Sequence, residues 1–292
     1  MPRAQVNEIT IEYDTFGRND ADPLLLVMGL GAQLVFWEEE FCESLASKGF
    51  HVIRFDNRDC GLSTKFDKAD VPSLKTLMSN DHSNEAVALP YTMDDLADDS
   101  IGLLDTLGIQ SAHFVGASMG GMIVQTVGWR HRERVRSITS IMSTTGDPSL
   151  PPPSPEALSV LFPPPVSGKD EYVKNALKSW EVVRGSGYVP DIDRIRKRSE
   201  RSWDRCYAPE GVQRQMAAIL GQGSRKAQLS ELSVPFLVIH GTDDPLLSQE
   251  CGQDTADAVS GAEIILIEGM GHDMPRETWP IIINGIANLA LA

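Results

Sequence analysis

The chain has 292 residues, 41% hydrophobic and 23% charged, the balance of a globular protein with one sizeable core rather than of a disordered chain. Its formal net charge of -15 repels phosphate backbones and anionic lipid, which argues against nucleic-acid and membrane partners. No run reaches the ~18 apolar residues of a membrane-spanning helix, and the opening MPRAQVNEITIEYD has no apolar signal region. The expectation is a cytoplasmic monomer or homodimer.

In chain order, residues 7–13 alternate like a half-exposed strand, and 24–28 form a continuous apolar run suited to a strand buried on both faces. Helical spacing covers 35–48, and 51–56 is the next strand. Helix 93–107, strand 112–115, helix 119–129 and strand 136–142 follow; Gly108 supplies a stop after the first of these.

The alternation then breaks. Residues 147–230 open on PSLPPPSPEALSVLFPPP and continue with helical segments near 170–184, 190–205 and 211–219. Strand 235–240, helix 249–259, strand 262–268 and helix 279–291 restore the pattern. The strands after the break are too few for a sheet of their own. The reading is therefore an α/β core of 1–146 and 231–292, a mostly parallel sheet flanked by helices, with 147–230 inserted as a helical cap.

Cys42, Cys60, Cys206 and Cys251 form no CxxC pair and are too sparse for a disulfide scaffold. They read as free thiols, with one Cys206–Cys251 or Cys42–Cys60 bridge left open. No metal-ligand spacing is present, and no cofactor is expected.

The stretch Gly116-Ala117-Ser118-Met119-Gly120 is G-x-S-x-G, directly after an expected strand and directly before an expected helix. That is the setting of a nucleophile elbow. A turn this tight holds the serine hydroxyl clear of the sheet, and side chains two before and two after would clash, so glycine stands at 116 and 120. Ser118 then lies at a helix N-terminus, where backbone N–H groups favour developing negative charge.

A serine hydroxyl needs a general base, and in this arrangement the acid and then the histidine follow the serine in the chain. His272, in Gly269-Met270-Gly271-His272 just past the last expected strand, is the candidate base. His113, His51 and His240 sit on or at the ends of strands and read as structural, and His82 and His131 as solvated. The acid is expected after strand 235–240, in Gly241-Thr242-Asp243-Asp244-Pro245. Asp244 is favoured because the following proline fixes a turn; Asp243 is second and Asp147 third. Oxyanion donors are expected from the backbone N–H groups of Met119 and of Leu30, in the glycine-flanked loop after strand 24–28. Met28, Phe36 and Trp37 are candidate pocket residues, and Trp180 and Trp203 either face that pocket or pack the cap.

Together these residues resemble the α/β-hydrolase superfamily. Asp56-Asn57-Arg58-Asp59-Cys60-Gly61-Leu62-Ser63 is similar to its D-x-R-G-x-G-x-S turn, with Asp59 in place of the first glycine. LLLVMG, HVIRFDNRDCGLST, GASMGG and GMGHDMP resemble the aclacinomycin methylesterase group. The resemblance implies hydrolysis of small or methyl esters by Ser118, Asp244 and His272, with donors at Leu30 and Met119 and a small-molecule ester as partner. Met28-Gly29 stands where the superfamily often has His-Gly, a departure the methylesterase group shares.

Two rival classes remain. A dinucleotide site at Gly29, Gly31 and Asp56 lacks the third glycine, since position 34 is Leu. A non-catalytic binder on the same fold would leave Ser118, Asp244 and His272 without a purpose. The same triad also serves lactonases, C–C hydrolases and perhydrolases.

Overall fold

The computed structural model describes residues 1–70 and 88–291. Its strands are β1 (Arg3–Val6), β2 (Ile9–Phe16), β3 (Asp22–Val27), β4 (Phe50–Phe55), β5 (Ala112–Ala117), β6 (Val135–Ile141), β7 (Phe236–Gly241) and β8 (Glu263–Ile267). They form one eight-stranded sheet in the order β1-β2-β4-β3-β5-β6-β7-β8. The pairs from β4 to β8 are parallel, and β1 and β2 add antiparallel at one edge.

The apolar runs of the central strands explain this. Leu25, Val27 and Phe114 face one layer, formed by α2 (Met93–Thr106), α3 (Met119–Arg130) and α9 (Gln249–Ala258). Leu24, Leu26 and Val115 face the other, formed by α1 (Glu39–Ser47) and α10 (Trp279–Leu291). Both faces of each strand are therefore buried, as continuous rather than alternating hydrophobicity requires. Between β6 and β7 run α4 (Pro155–Leu161), α5 (Lys169–Val183), α6 (Ile192–Arg205), α7 (Pro209–Gln222) and α8 (Lys226–Leu229).

Three local expectations change. The single strand at 7–13 is a hairpin, because Asn7 adopts a left-handed conformation (φ 53°) and turns the chain between Val6 and Ile9. The helix expected over 35–48 is a 3-10 turn (Leu34–Phe36) followed by α1. The carbonyl of Trp37 is taken by the buried Arg54 guanidinium instead of a helical ladder. Inside the proline-rich stretch lies α4, started by the Ser154 hydroxyl accepting the Ala157 N–H at 3.1 Å, with Pro155 at its first position.

All four cysteines are free, so neither open bridge forms. Among the described residues no helix is long and apolar enough to cross a membrane.

Candidate active site

The strand order places the site. β3 neighbours β4 on one side and β5 on the other, so the loops leaving β3 and β5 diverge and open a crevice at the strand ends. Ser118 stands there, at the end of β5 and the start of α3. Its backbone is strained, with φ 55° and ψ -118°. A Cβ at Gly116 would lie 2.1 Å from the Gly120 carbonyl oxygen, and one at Gly120 2.1 Å from that of Val27. The two glycines are therefore steric requirements of the elbow, as the sequence suggested.

His272 is brought over the elbow from the loop after β8. Its Nε2 is 2.9 Å from Ser118 Oγ and its Nδ1 is 2.7 Å from Asp244 Oδ2. The carboxylate can only accept from Nδ1–H, which leaves Nε2 to accept from the serine hydroxyl. The second oxygen of Asp244, Oδ1, accepts the N–H groups of Leu246 and Leu247, each at 2.9 Å. Burial would raise the Asp244 carboxyl. The adjacent His272 imidazole, whose Nδ1–H donates to it, holds it well below the usual carboxylate range instead. The His272 N–H donates to the Val183 carbonyl at 2.8 Å, at the end of α5. Gly271 allows that approach, since a Cβ there would sit 2.1 Å from Gly185 N.

The runner-up acids lie elsewhere. Asp243 is exposed and accepts from the Ser186 hydroxyl at 2.5 Å. Asp147 accepts from Ser149 and faces Lys226 at 3.6 Å. Among the other histidines, His113 contacts Ser137 and Asp22, and His240 reaches the Leu247 carbonyl at 2.7 Å. His51 is buried near the start of β4. His131 is paired with Asp98 at 2.6 Å rather than simply solvated. His82 lies outside the described residues.

The loop after β3 runs beside the serine: a Cβ at Gly29 would be 3.1 Å from Ser118 Cβ. Within that loop the Gly31 N–H donates to Gln215 Oε1 at 2.8 Å. Met119 is the first residue of α3, so its N–H belongs to the free N-terminal set of the helix.

A cavity of about 430 Å³ meets this loop at Leu30 and Gly31 and extends under the inserted helices. Its wall includes Phe162, Tyr172, Ala176, Tyr207 and Val212, none of which the sequence singled out. Neither Ser118 nor His272 lines it; the loop of Leu30 and Gly31 lies between the cavity and the elbow, with Gly29 beside Ser118. The expected pocket residues are placed differently. Trp37 is fully buried, stacked on Phe41 at 5.4 Å, and Met28 packs in the same core layer. Phe36 lies under the Arg198 guanidinium at 4.3 Å. All three serve the core below the site, because the side chains flanking β3 and entering α1 turn into the apolar layer. Trp180 donates to Asp273 Oδ2 at 3.0 Å, and Trp203 packs on Tyr207 at 4.9 Å, so both tie the inserted helices together or to the His272 loop.

A strained elbow serine and a histidine–aspartate pair, set at the carboxyl ends of a mostly parallel sheet, define the class. The family described as "alpha/beta hydrolase fold" matches residues 22–275, and the chain belongs to it. Among relatives, it is 29% identical to rhodomycin D methylesterase DauP of Streptomyces sp. (strain C5), over 94% of this chain and 93% of that one. It is 28% identical to rhodomycin D methylesterase DnrP of Streptomyces peucetius, over the same shares. Among solved structures, the enol-lactonase from Burkholderia xenovorans LB400 superposes with a TM-score of 0.75 at 23% identity, covering 100% of both chains, a likeness of fold.

Proposed function

We propose that this protein is a serine carboxylesterase that hydrolyses small or methyl esters through an acyl-enzyme. The observation that carries the reading is the continuous chain from Ser118 Oγ through His272 to Asp244, with links of 2.9 and 2.7 Å. The methylesterase names of two relatives support the choice of ester.

In this mechanism His272 Nε2 takes the Ser118 proton as Oγ attacks the ester carbonyl. Asp244, ionised across the working pH range, stabilises the imidazolium and fixes its tautomer. The N–H groups of Leu30 and Met119 hold the oxyanion. Collapse of the tetrahedral intermediate expels the alcohol, protonated by His272. A water activated by the same imidazole then releases the acid and restores Ser118. The segment 147–230 acts as the cap, and the cavity beneath it receives the larger substituent.

The test is a panel of p-nitrophenyl esters, methyl esters and lactones, run beside Ser118→Ala, with fluorophosphonate labelling of Ser118. Ester turnover that the variant loses supports the reading. Absent labelling with no turnover of any ester would leave a binder instead. Lactones belong in the panel because a lactone is an internal ester, open to the same attack.

A further inference from the structure

The loop that carries Leu30 is not held by the sheet alone. From α7, the side chain of Gln215, fully buried, spans two backbone groups of the core. Its Oε1 accepts the Gly31 N–H at 2.8 Å, and its Nε2 donates to the Arg58 carbonyl at 2.8 Å. Both ends of the amide are thereby used, which fixes its orientation.

The same helix face is locked in place on either side of Gln215. Gly211 lies against the Asp59 backbone, where a Cβ would come within 2.2 Å of the carbonyl oxygen. Arg214 grips the Asp59 carboxylate through Nε and Nη2 at 2.7 and 2.9 Å. Positions 214 and 215 lie three and four residues after 211, about one helical turn, and border the same face. Two residues beyond Gly31, Gln33 donates to the carbonyls of Ser202 and Cys206, each at 2.8 Å. The loop of 29–33 is thus the seam at which the inserted helices meet the core.

From this geometry we infer that Gln215 is a positioning residue for the reaction: it sets the oxyanion loop by occupying the Gly31 N–H and so aims the neighbouring Leu30 N–H at the carbonyl. The inference rests on the esterase reading above. It makes the oxyanion hole a product of both segments: seating α7 completes it.

The test compares wild type with Gln215→Leu and Gln215→Glu. For Gln215→Leu the acylation rate on p-nitrophenyl acetate should fall about 100-fold, the scale of a misplaced oxyanion donor. Affinity for a trifluoromethyl ketone, which forms the oxyanion adduct, should fall in parallel. Affinity for the matching methyl ketone, which forms none, should stay within about threefold. Equal loss of affinity for both ketones, or an unchanged acylation rate in a folded variant, would overturn the inference.

Gln215→Glu carries a second signature. Its carboxyl still accepts from Gly31, but when ionised it turns an acceptor towards the Arg58 carbonyl; when protonated it donates again. Its activity relative to wild type should therefore rise as pH falls, and a flat ratio would count against the inference. This arm stands if Gln215→Leu fails to fold. Should wild type show no Ser118-dependent turnover, the esterase reading fails by itself. Hydrogen exchange at the Gly31 amide then still reads the loop: faster exchange in folded Gln215→Leu, which removes the acceptor, supports the anchoring, and unchanged exchange refutes it.

Discussion

Asp59 and Arg214 form a two-pronged ion pair with both side chains essentially excluded from solvent, 0% and 1% exposed. Asp59 holds it from a left-handed backbone, φ 66°, at the position where glycine is usual in the related turn. Such a conformation costs a side-chain-bearing residue about 1 kcal/mol. The carboxylate offsets that strain by accepting also from the Tyr91 hydroxyl at 2.7 Å and the Phe66 N–H at 2.8 Å.

The first prediction follows from that pair. Asp59→Gly relieves the backbone but leaves the buried guanidinium with only the exposed carboxylates of Asp67 and Glu210, each at 3.9 Å, and it should destabilise the fold by about 3 kcal/mol. Asp59→Gly combined with Arg214→Met should recover most of the loss. Urea unfolding of the two singles and the double decides it; additive losses would show that the pair is not the coupling element.

Removal of either main participant at the elbow should abolish turnover alike. Ser118→Ala and His272→Ala should each lower kcat by roughly 10⁴–10⁶-fold, and the double variant by little more, since the groups act as a unit. Asp244→Asn should retain more activity than either. Fluorophosphonate should label Asp244→Asn slowly and Ser118→Ala not at all.

Acid sensitivity has a defined contributor outside the site. Burial would raise the Glu39 carboxyl, but hydrogen bonds from Arg201 and Arg54 bring it down to about 2. A carboxyl depressed on folding adds stability above its unfolded pKa and loses it as pH falls through the folded value. The contribution of Glu39 should therefore be complete above about pH 4.5 and fade towards pH 2. Because Glu39 is partly exposed, the effect is modest and salt-sensitive. Melting temperatures of wild type and Glu39→Gln should converge as pH falls across that window; parallel curves would exclude this carboxyl as the source.

Filling the cavity should separate large from small substrates. Ala176 lines it from α5, and Ser118 and His272 are not among its lining residues. Ala176→Trp should lower kcat/KM for long-chain p-nitrophenyl esters by at least about tenfold while leaving the acetate within about threefold. A uniform drop across chain lengths would place the acyl group elsewhere.

The elbow, His272 and Asp244 were legible because each sits where a strand ends, and strand ends are marked by local apolar runs and glycines. The choice of Asp244 over Asp243 had a local cause as well: Pro245 shapes the turn whose N–H groups at 246 and 247 receive the carboxylate. The pocket was not legible. Sequence neighbours of the site, Met28, Phe36 and Trp37, turn into the core, whereas Tyr172, Tyr207 and Val212 arrive from the insertion. Their placement depends on how α5 and α7 dock, which no local period encodes. Gln215 was hidden for the same reason, its partner Gly31 lying 184 positions away. In the proline-rich stretch the signal for α4 was present: serine followed by proline and glutamate opens a helix. The surrounding prolines obscured it.

The bond from the His272 amide to the Val183 carbonyl bears on protein engineering. An exchange of residues 147–230 for those of a relative would replace more than the wall of the cavity. Here the transplanted piece would also carry an acceptor on which the imidazole's own backbone hangs, so a graft must preserve the end of α5 in register. Substitutions confined to 160–166 and 172–176, which include residues of the cavity wall, leave that attachment intact.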